Sequence, residues 1–432
     1  MQPSHQLPLV GLLLFSLIPS QICKICVVNE NNLFRLDPLF NTMNKSNYAI
    51  GTASAYVLLS LRIVGISIQP LNKTLSQKIR DNVNENETNL SSGALALSIL
   101  ALGACHTKDI NFIYDHHLID HLKNKFQKEI EYMEEQNGNP LTNYYQLSLD
   151  VLALCLFNGT YSPKKVADLF APENKNFYFH DQFSVDTGAM AVLALICVKR
   201  SLIKEQTKAD EDLKHIENNI RTLVEKILSE KKENGLIGNT FSTGAAMQAL
   251  FVSPDYYNEN EWNCDQTRDT ILKKISQGAF NKATLAAQIL PSLLGKTYLD
   301  VNKESPCIQP LGNFNISIQV PEPVTATNSP SCISVHYSVK INKTYSTNVS
   351  VSRGSVFLHV MEEAQRRNNT IFRFTVEHTS LGLYVNSVQG IKADNSDRTY
   401  WQILSGDKPL EEGVDSYVVH NGENLVIRWS KY

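Results

Sequence analysis

The chain has 432 residues, 19% of them charged, and a formal net charge of −3. That length exceeds what a single hydrophobic core usually serves, so two domains are expected. With no dense Lys/Arg run, the charge balance argues against nucleic acid or an anionic membrane surface as a partner and favours neutral small molecules or proteins.

After His5, the run QLPLVGLLLFSLIPSQIC is apolar but too short to span a bilayer, and it reads as a secretory signal peptide over residues 1–23, cleaved near Cys23. A buried first helix is the other reading. Sequons at Asn44, Asn72, Asn86, Asn89, Asn158, Asn315, Asn342, Asn348 and Asn368 point the same way, to a secreted and glycosylated chain. Without the leader, Cys26, Cys105, Cys155, Cys197, Cys264, Cys307 and Cys332 remain, and in an oxidising compartment six of the seven should pair. None of them keeps a zinc-type CxxC spacing.

Residues 24–301 carry a repeat. The core VLAL at Val192 to Leu195 has counterparts at VLLS from Val57, ILAL from Ile99, VLAL from Val151, QALF from Gln248 and QILP from Gln288, spaced by 42, 52, 41, 56 and 40 residues. Each copy is apolar all round, the pattern of a helix that must be buried. Between the copies lie amphipathic stretches: Asn32 to Met43, Leu71 to Asn82, Asp115 to Gln136, Pro163 to Phe170, Ala209 to Lys232 and Gln266 to Gln277. In one of these, Leu213, Ile216, Ile220, Leu223, Val224 and Ile227 recur at spacings of 3 and 4, one apolar face opposite a charged one. Six buried and six amphipathic helices predict an α6–α6 barrel whose inner ring walls a funnel. Cys155 and Cys197 end equivalent inner helices and could meet.

Residues 302–331, punctuated by Pro306, Pro310, Pro321, Pro323 and Pro330, read as a linker. Beyond it, residues 332–432 alternate with period 2 in ISVHYSVKI, TNVSVS, FRFTV, LYVNSVQGI, YWQIL, SYVVH and NLVIRW, with one helix at Gly354 to Arg367. The expected fold class is therefore mainly α, a barrel joined to a small C-terminal β-rich α+β domain.

The N-terminal ends of the inner helices are more polar than packing requires: LTNYYQ at Leu141 to Gln146, SVDT at Ser184 to Thr187, GNTFSTG at Gly238 to Gly244, and Gln288 within an apolar helix. These neutral donors and acceptors suit a ligand studded with amides and hydroxyls, whereas phosphate or carboxylate would call for Arg clusters or a glycine-rich nest. Taken alone, Asp186 reads as a helix N-cap, as do Thr142, Ser184 and Ser242. Catalysis by barrels of this kind needs residues that are missing. There is no DDxxD or DxDD cluster and no CxEQ thioester motif, and the histidines are scattered. A glycosidase needs two opposed carboxylates, of which only Asp186 stands out. A binding protein comes first, and a secreted barrel hydrolase acting on a glycan is the alternative.

The stretch SVDTGAMAVLALIC closely resembles the signature of the secreted cobalamin-binding proteins, and the resemblance extends through LTNYYQLSLDVLALCLFNG, IGNTFSTG and TYWQILSGDKPLEEGVDSY. It implies a barrel and a β-rich lid that close on cobalamin or a related corrinoid from two sides, in a secreted monomer without catalysis or catalytic cofactor. Carried over residue by residue, Thr142, Asn143, Tyr145, Gln146, Asp186, Asn239 and Gln288 are the expected barrel contacts, and Tyr384 and Trp401 the lid contacts. The resemblance also implies the pairs Cys26 with Cys264, Cys105 with Cys307, and Cys155 with Cys197, leaving Cys332 unpaired. Three positions depart from the family pattern. Ile196 replaces a Ser or Thr. Phe183 stands where one branch has a cobalt-coordinating His, the nearest histidine here being His180. Leu381 stands where some members carry a Trp, with no cysteine nearby.

Overall fold

The computed structural model describes residues 26–45, 51–68, 71–86, 89–104, 109–179, 181–205, 210–302, 332–379, 382–394, 397–410, 412–415 and 417–431. The leader, Cys105, Cys307, His180, Leu381 and nearly all of the proline-rich stretch lie outside them.

Every VLAL-type core falls on a helix. The six are α2 (Gly51–Ile63), α4 (Ser92–Gly103), α7 (Tyr144–Leu156), α9 (Val185–Glu205), α11 (Thr243–Val252) and α13 (Ala283–Leu293). In that order each packs on the next, and α13 returns to α2, so the ring closes. Small residues set the approach: a Cβ added at Gly93 of α4 would lie 2.5 Å from the Gln146 Cβ of α7, a distance atoms do not share. Around the ring lie α1 (Asp37–Lys45), α3 (Leu71–Asn86), α5 (Asp109–Asp115), α6 (Leu118–Glu135), α8 (Pro163–Leu169), α10 (Asp210–Ser229) and α12 (Cys264–Ser276). The expected first outer helix is split, a 3₁₀ turn at Glu30–Leu36 preceding α1, and the expected helix at Asp115 to Gln136 is α6, with the short α5 ahead of it. A 3₁₀ turn at Tyr298–Asn302 touches α2, α4, α7 and α9 and plugs the ring.

Two of the expected disulfides are present, Cys26–Cys264 and Cys155–Cys197. The first ties the segment before the Glu30–Leu36 turn to the first residue of α12, and the second joins the neighbouring inner helices α7 and α9. Cys332 is free and exposed.

A short hairpin, β1 (Tyr178–Phe179) and β2 (Gln182–Phe183), leads into α9. The C-terminal region has its own core, running from Ile333 to Ile427. Its strands are β3 (Cys332–Lys340), β4 (Thr344–Ser352), β5 (Phe374–Thr379), β6 (Gly382–Val388), β7 (Ile391–Lys392), β8 (Thr399–Ser405), β9 (Lys408–Pro409) and β10 (Asn424–Lys431). They form one sheet ordered β4-β3-β10-β8-β9, with β10 parallel to β3, and a second ordered β5-β6-β7. Helix α14 (Phe357–Arg367) packs on β3 and β4. The alternating run SYVVH is not a strand. Val418 makes one isolated bridge to Val356, Tyr417 and Val419 bond Phe357 and Ser355 at the start of α14, and the Tyr417 N–H donates to the Gly413 carbonyl.

Candidate functional site

A cavity of about 750 Å³ opens between the N-terminal ends of the inner helices and the C-terminal domain. Seven of the residues singled out in the sequence line it: Asn143, Tyr145, Gln146, Asp186, Asn239, Gln288 and Tyr384.

Helix capping fixes several of these side chains. The Asn143 Oδ1 accepts from the Gln146 backbone N–H at 3.0 Å and so caps α7. Asn239 does the same at the turn into α11, its Oδ1 taking the N–H groups of Phe241 and Ser242, both at 2.8 Å. With the carbonyl oxygens occupied, each side chain keeps its NH₂ as the donor for a ligand acceptor. The Gln146 Oε1 is buried without a protein partner, an acceptor for a ligand N–H.

Asp186 sits in the first turn of α9, but it is not the cap. The Ser184 hydroxyl lies 3.4 Å from the Thr187 N–H and 2.8 Å from the Thr187 hydroxyl. Ser184 therefore caps the helix, and the Asp186 carboxyl is left to the cavity. Burial pushes its pKa up to about 6, offset in part by its own backbone N–H. The Tyr56 hydroxyl donates to the Tyr145 hydroxyl at 3.3 Å, and burial holds the Tyr145 phenol well above its ordinary range.

Two expected contacts are placed elsewhere. Thr142 is not part of the wall: its backbone N–H donates to the buried Glu129 carboxylate at 3.2 Å, anchoring the turn that carries Asn143. Trp401 is a core residue, 4% exposed, its Nε1 donating to the Ile391 carbonyl at 3.1 Å and its ring 4.9 Å from Trp429. In a five-stranded sheet an inward-facing position goes to a large apolar side chain, and burial outweighs the lid role. Phe183 packs against Gly188, Phe177 and Tyr178 and does not line the cavity.

Sequence reasoning missed Thr52 and Tyr56, which could have been found by extending the VLLS repeat back one turn. It also missed the charged members of the wall, Lys282, Glu377 and Glu412, which had no periodic signal to mark them.

A closed ring of inner helices wrapped by outer ones, capped by a β-rich domain over a cavity walled largely by neutral polar and apolar side chains, defines a two-domain binding fold. The chain belongs to the eukaryotic cobalamin-binding proteins, whose family model matches residues 8–328. Residues 354–431 also match a domain of unknown function. Within the family the similarity runs strongly to haptocorrin. The chain is 64% identical to transcobalamin-1 of Homo sapiens over 100% of both chains, and 35% identical to the cobalamin binding intrinsic factor of Homo sapiens over 92% of each. Among solved structures it superposes on haptocorrin in complex with Cbi with a TM-score of 0.88 at 62% identity, covering 95% of this chain and 100% of that one.

Proposed function

We propose that this chain binds cobalamin or a closely related corrinoid, enclosing it between barrel and C-terminal domain, and carries it outside the cell as a secreted monomer. The observation that carries the reading is the composition of the barrel's side of the cavity: Asn143, Gln146, Asn239 and Gln288 offer amides, Tyr56 and Tyr145 hydroxyls, and Leu97, Leu149 and Leu285 an apolar floor. A corrin has apolar faces and a rim of neutral amides, each a donor and an acceptor, and such a wall meets both. Asp186 would accept from a ligand N–H as the one charged acceptor on the barrel side. Tyr384 and Leu383 would cover the ligand from the C-terminal domain.

Relatives that are binding proteins weigh against the glycan hydrolase. So does the use of the amides, which are held as fixed hydrogen-bonding groups and not arranged around a reacting bond. No helix among the described residues is long and apolar enough to cross a membrane. Because Phe183 is packed among aromatic rings, cobalt would keep water and not a side chain of residue 183 on its upper face.

The test is purification of the secreted chain with cobalamin added. A red 1:1 complex with a corrin absorption spectrum, close to that of free aquocobalamin, is expected. A colourless protein that takes up no cobalamin but cleaves a glycan would sink the reading.

A further inference from the structure

Among the described residues, two polar junctions tie the C-terminal domain to the barrel. At the first, Lys282 pairs with Asp415 at 2.7 Å, and Asp415 accepts from the Leu383 N–H at 3.1 Å. Lys282 and Leu383 both line the cavity, so this junction belongs to the site already described. The second does not. The Arg398 guanidinium reaches across to the barrel and donates to the Tyr178 carbonyl at 3.1 Å, the Lys175 carbonyl at 3.2 Å and the Asn176 Oδ1 at 3.4 Å. Neither Arg398 nor any of these three residues lines the cavity.

Both ends of this junction are tied by further hydrogen bonds. On the lid, Arg398 sits in a left-handed conformation, φ 52°, in a turn closed by paired backbone hydrogen bonds between Asp394 and Thr399. A side chain in that region of backbone space costs conformational energy, so its position is held against that cost by the contacts it makes. On the barrel, the Asn176 NH₂ donates to the Gly138 carbonyl at 2.7 Å, and the Tyr178 hydroxyl accepts from the Lys226 ammonium at 2.7 Å. The neighbouring Asn174 NH₂ donates at 2.6 Å to the hydroxyl of Tyr144, the buried first residue of α7. Tyr144 stands between Asn143 and the cavity residues Tyr145 and Gln146, and Phe179, next to Tyr178, lines the cavity too. The segment Arg398 grips is thus continuous with the wall that would hold the ligand.

We propose that Arg398 is a latch: it holds the C-terminal domain against the Lys175–Tyr178 segment and sets the residence time of the bound ligand without touching it. The inference rests on the corrinoid-binding reading above. Its three hydrogen bonds exist only when the domains are closed. Any opening that lets the ligand leave must break them, whereas an open protein meeting ligand would not yet have formed them, so dissociation should feel them and association should not. Each domain has its own core, and both the guanidinium and its acceptors regain water when apart, so the fold of the empty protein does not depend on the latch.

The experiment compares the full-length protein with Arg398→Ala, each loaded with radiolabelled cobalamin and chased with excess unlabelled cobalamin. Release about tenfold faster is expected, the loss of one charge-assisted set of hydrogen bonds, with the association rate and the melting temperature of the empty protein unchanged. Asn176→Ala should act in the same direction but less, and the double variant should fall short of the product of the two. Arg398→Lys keeps the charge but lacks the fork that reaches three acceptors, so its release should fall between the two and serves if the alanine variant folds poorly. Release at the wild-type rate from Arg398→Ala or from Arg398→Lys overturns the latch, as does an equal loss in association rate. A wild-type protein that takes up no cobalamin overturns instead the corrinoid reading, and the latch with it.

Discussion

The barrel meets the cavity with the capped first turns of its inner helices, whereas the C-terminal domain meets it with the β5–β6 hairpin and the loop at Glu412 and Gly413. On the barrel side the hydrogen bonds that stop a helix from fraying also orient the amides of Asn143 and Asn239, so wall and scaffold are one structure. The lid wall has no such coupling. Its orientation depends on a few polar junctions with the barrel, chiefly Lys282–Asp415 and the Arg398 contacts. The charges of the wall divide unevenly: Asp186 and Lys282 on the barrel, and two carboxylates, Glu377 and Glu412, on the lid. A preformed half and a docked half suggest that the barrel supplies recognition and the lid retention.

The most direct way to break that comparison is to remove the lid. A chain ending at Ser331 keeps the contiguous barrel core, every barrel residue of the wall and Cys307, the expected partner of Cys105. It should still bind cobalamin, but with affinity lower by about 10²- to 10⁴-fold, the factor a tethered second contact surface contributes. Equilibrium dialysis measures it, and undiminished affinity would show that the lid retains nothing.

Trp401 sharpens the same contrast. As a core residue of the lid, Trp401→Ala should destabilise the C-terminal domain by about 3 to 5 kcal/mol. Thermal melting should show that domain unfolding first. An unchanged melt with weakened cobalamin binding would return Trp401 to the ligand.

The unequal legibility of the two halves has the same physical origin. The inner helices are buried on all sides, so their sequence is uniformly apolar and repeats, and the ring of six could be read from VLAL and its variants. Polar stretches at their ends then stood out, and within them the family resemblance picked out Asn143, Gln146, Asp186 and Asn239, all of which line the cavity. The lid offered only period-2 alternation, which marks a strand but not its partner or which face meets a ligand. SYVVH alternates as well as any strand here, yet its backbone is used to cap α14. Trp401 and Tyr384 are both aromatic residues in strands, and only tertiary packing decides that one is core and the other wall. Likewise, that Ser184 and not Asp186 caps α9 is a matter of two residues' geometry, invisible to a pattern that accepts either.

Within the barrel, two glycines separate wall from scaffold. Gly93→Ala would drive a methyl group into Gln146, and Gly103→Ala would drive one into the Phe157 ring, 2.1 Å from its nearest atom. Both should lower stability by about 1 to 3 kcal/mol through overpacking. Only the first displaces a residue of the cavity wall, so only Gly93→Ala should also weaken cobalamin binding. Equal losses of affinity in the two variants would mean that the wall is no more rigid than the rest of the ring.

The smallest expected effect, and the most diagnostic, is at Asp186. Burial raises its pKa to about 6, so the empty protein holds a proton there below that pH. A ligand N–H needs the carboxylate as acceptor, and binding must then expel the proton. Affinity should therefore be flat above about pH 6 and fall toward tenfold per pH unit below it. The stability of the empty protein runs the other way. A carboxyl whose pKa is raised on folding stabilises the folded state fully below its unfolded value of 3.8, and that contribution is lost as pH rises through about 6. Asp186→Asn removes both dependences. The amide stays neutral, so relative to wild type the empty variant should melt higher at pH 7 than at pH 4. Its cobalamin affinity should be weaker by about 1 to 2 kcal/mol at pH 7, the difference between a charged and a neutral acceptor, and no longer vary between pH 5 and 7. Since Ser184 caps α9, the substitution leaves the helix start intact, and a loss of affinity cannot be blamed on fraying. Titrations at pH 5, 6 and 7 on both proteins decide it: a wild-type affinity that ignores pH, or a variant that follows it as wild type does, would remove Asp186 from the recognition of the ligand.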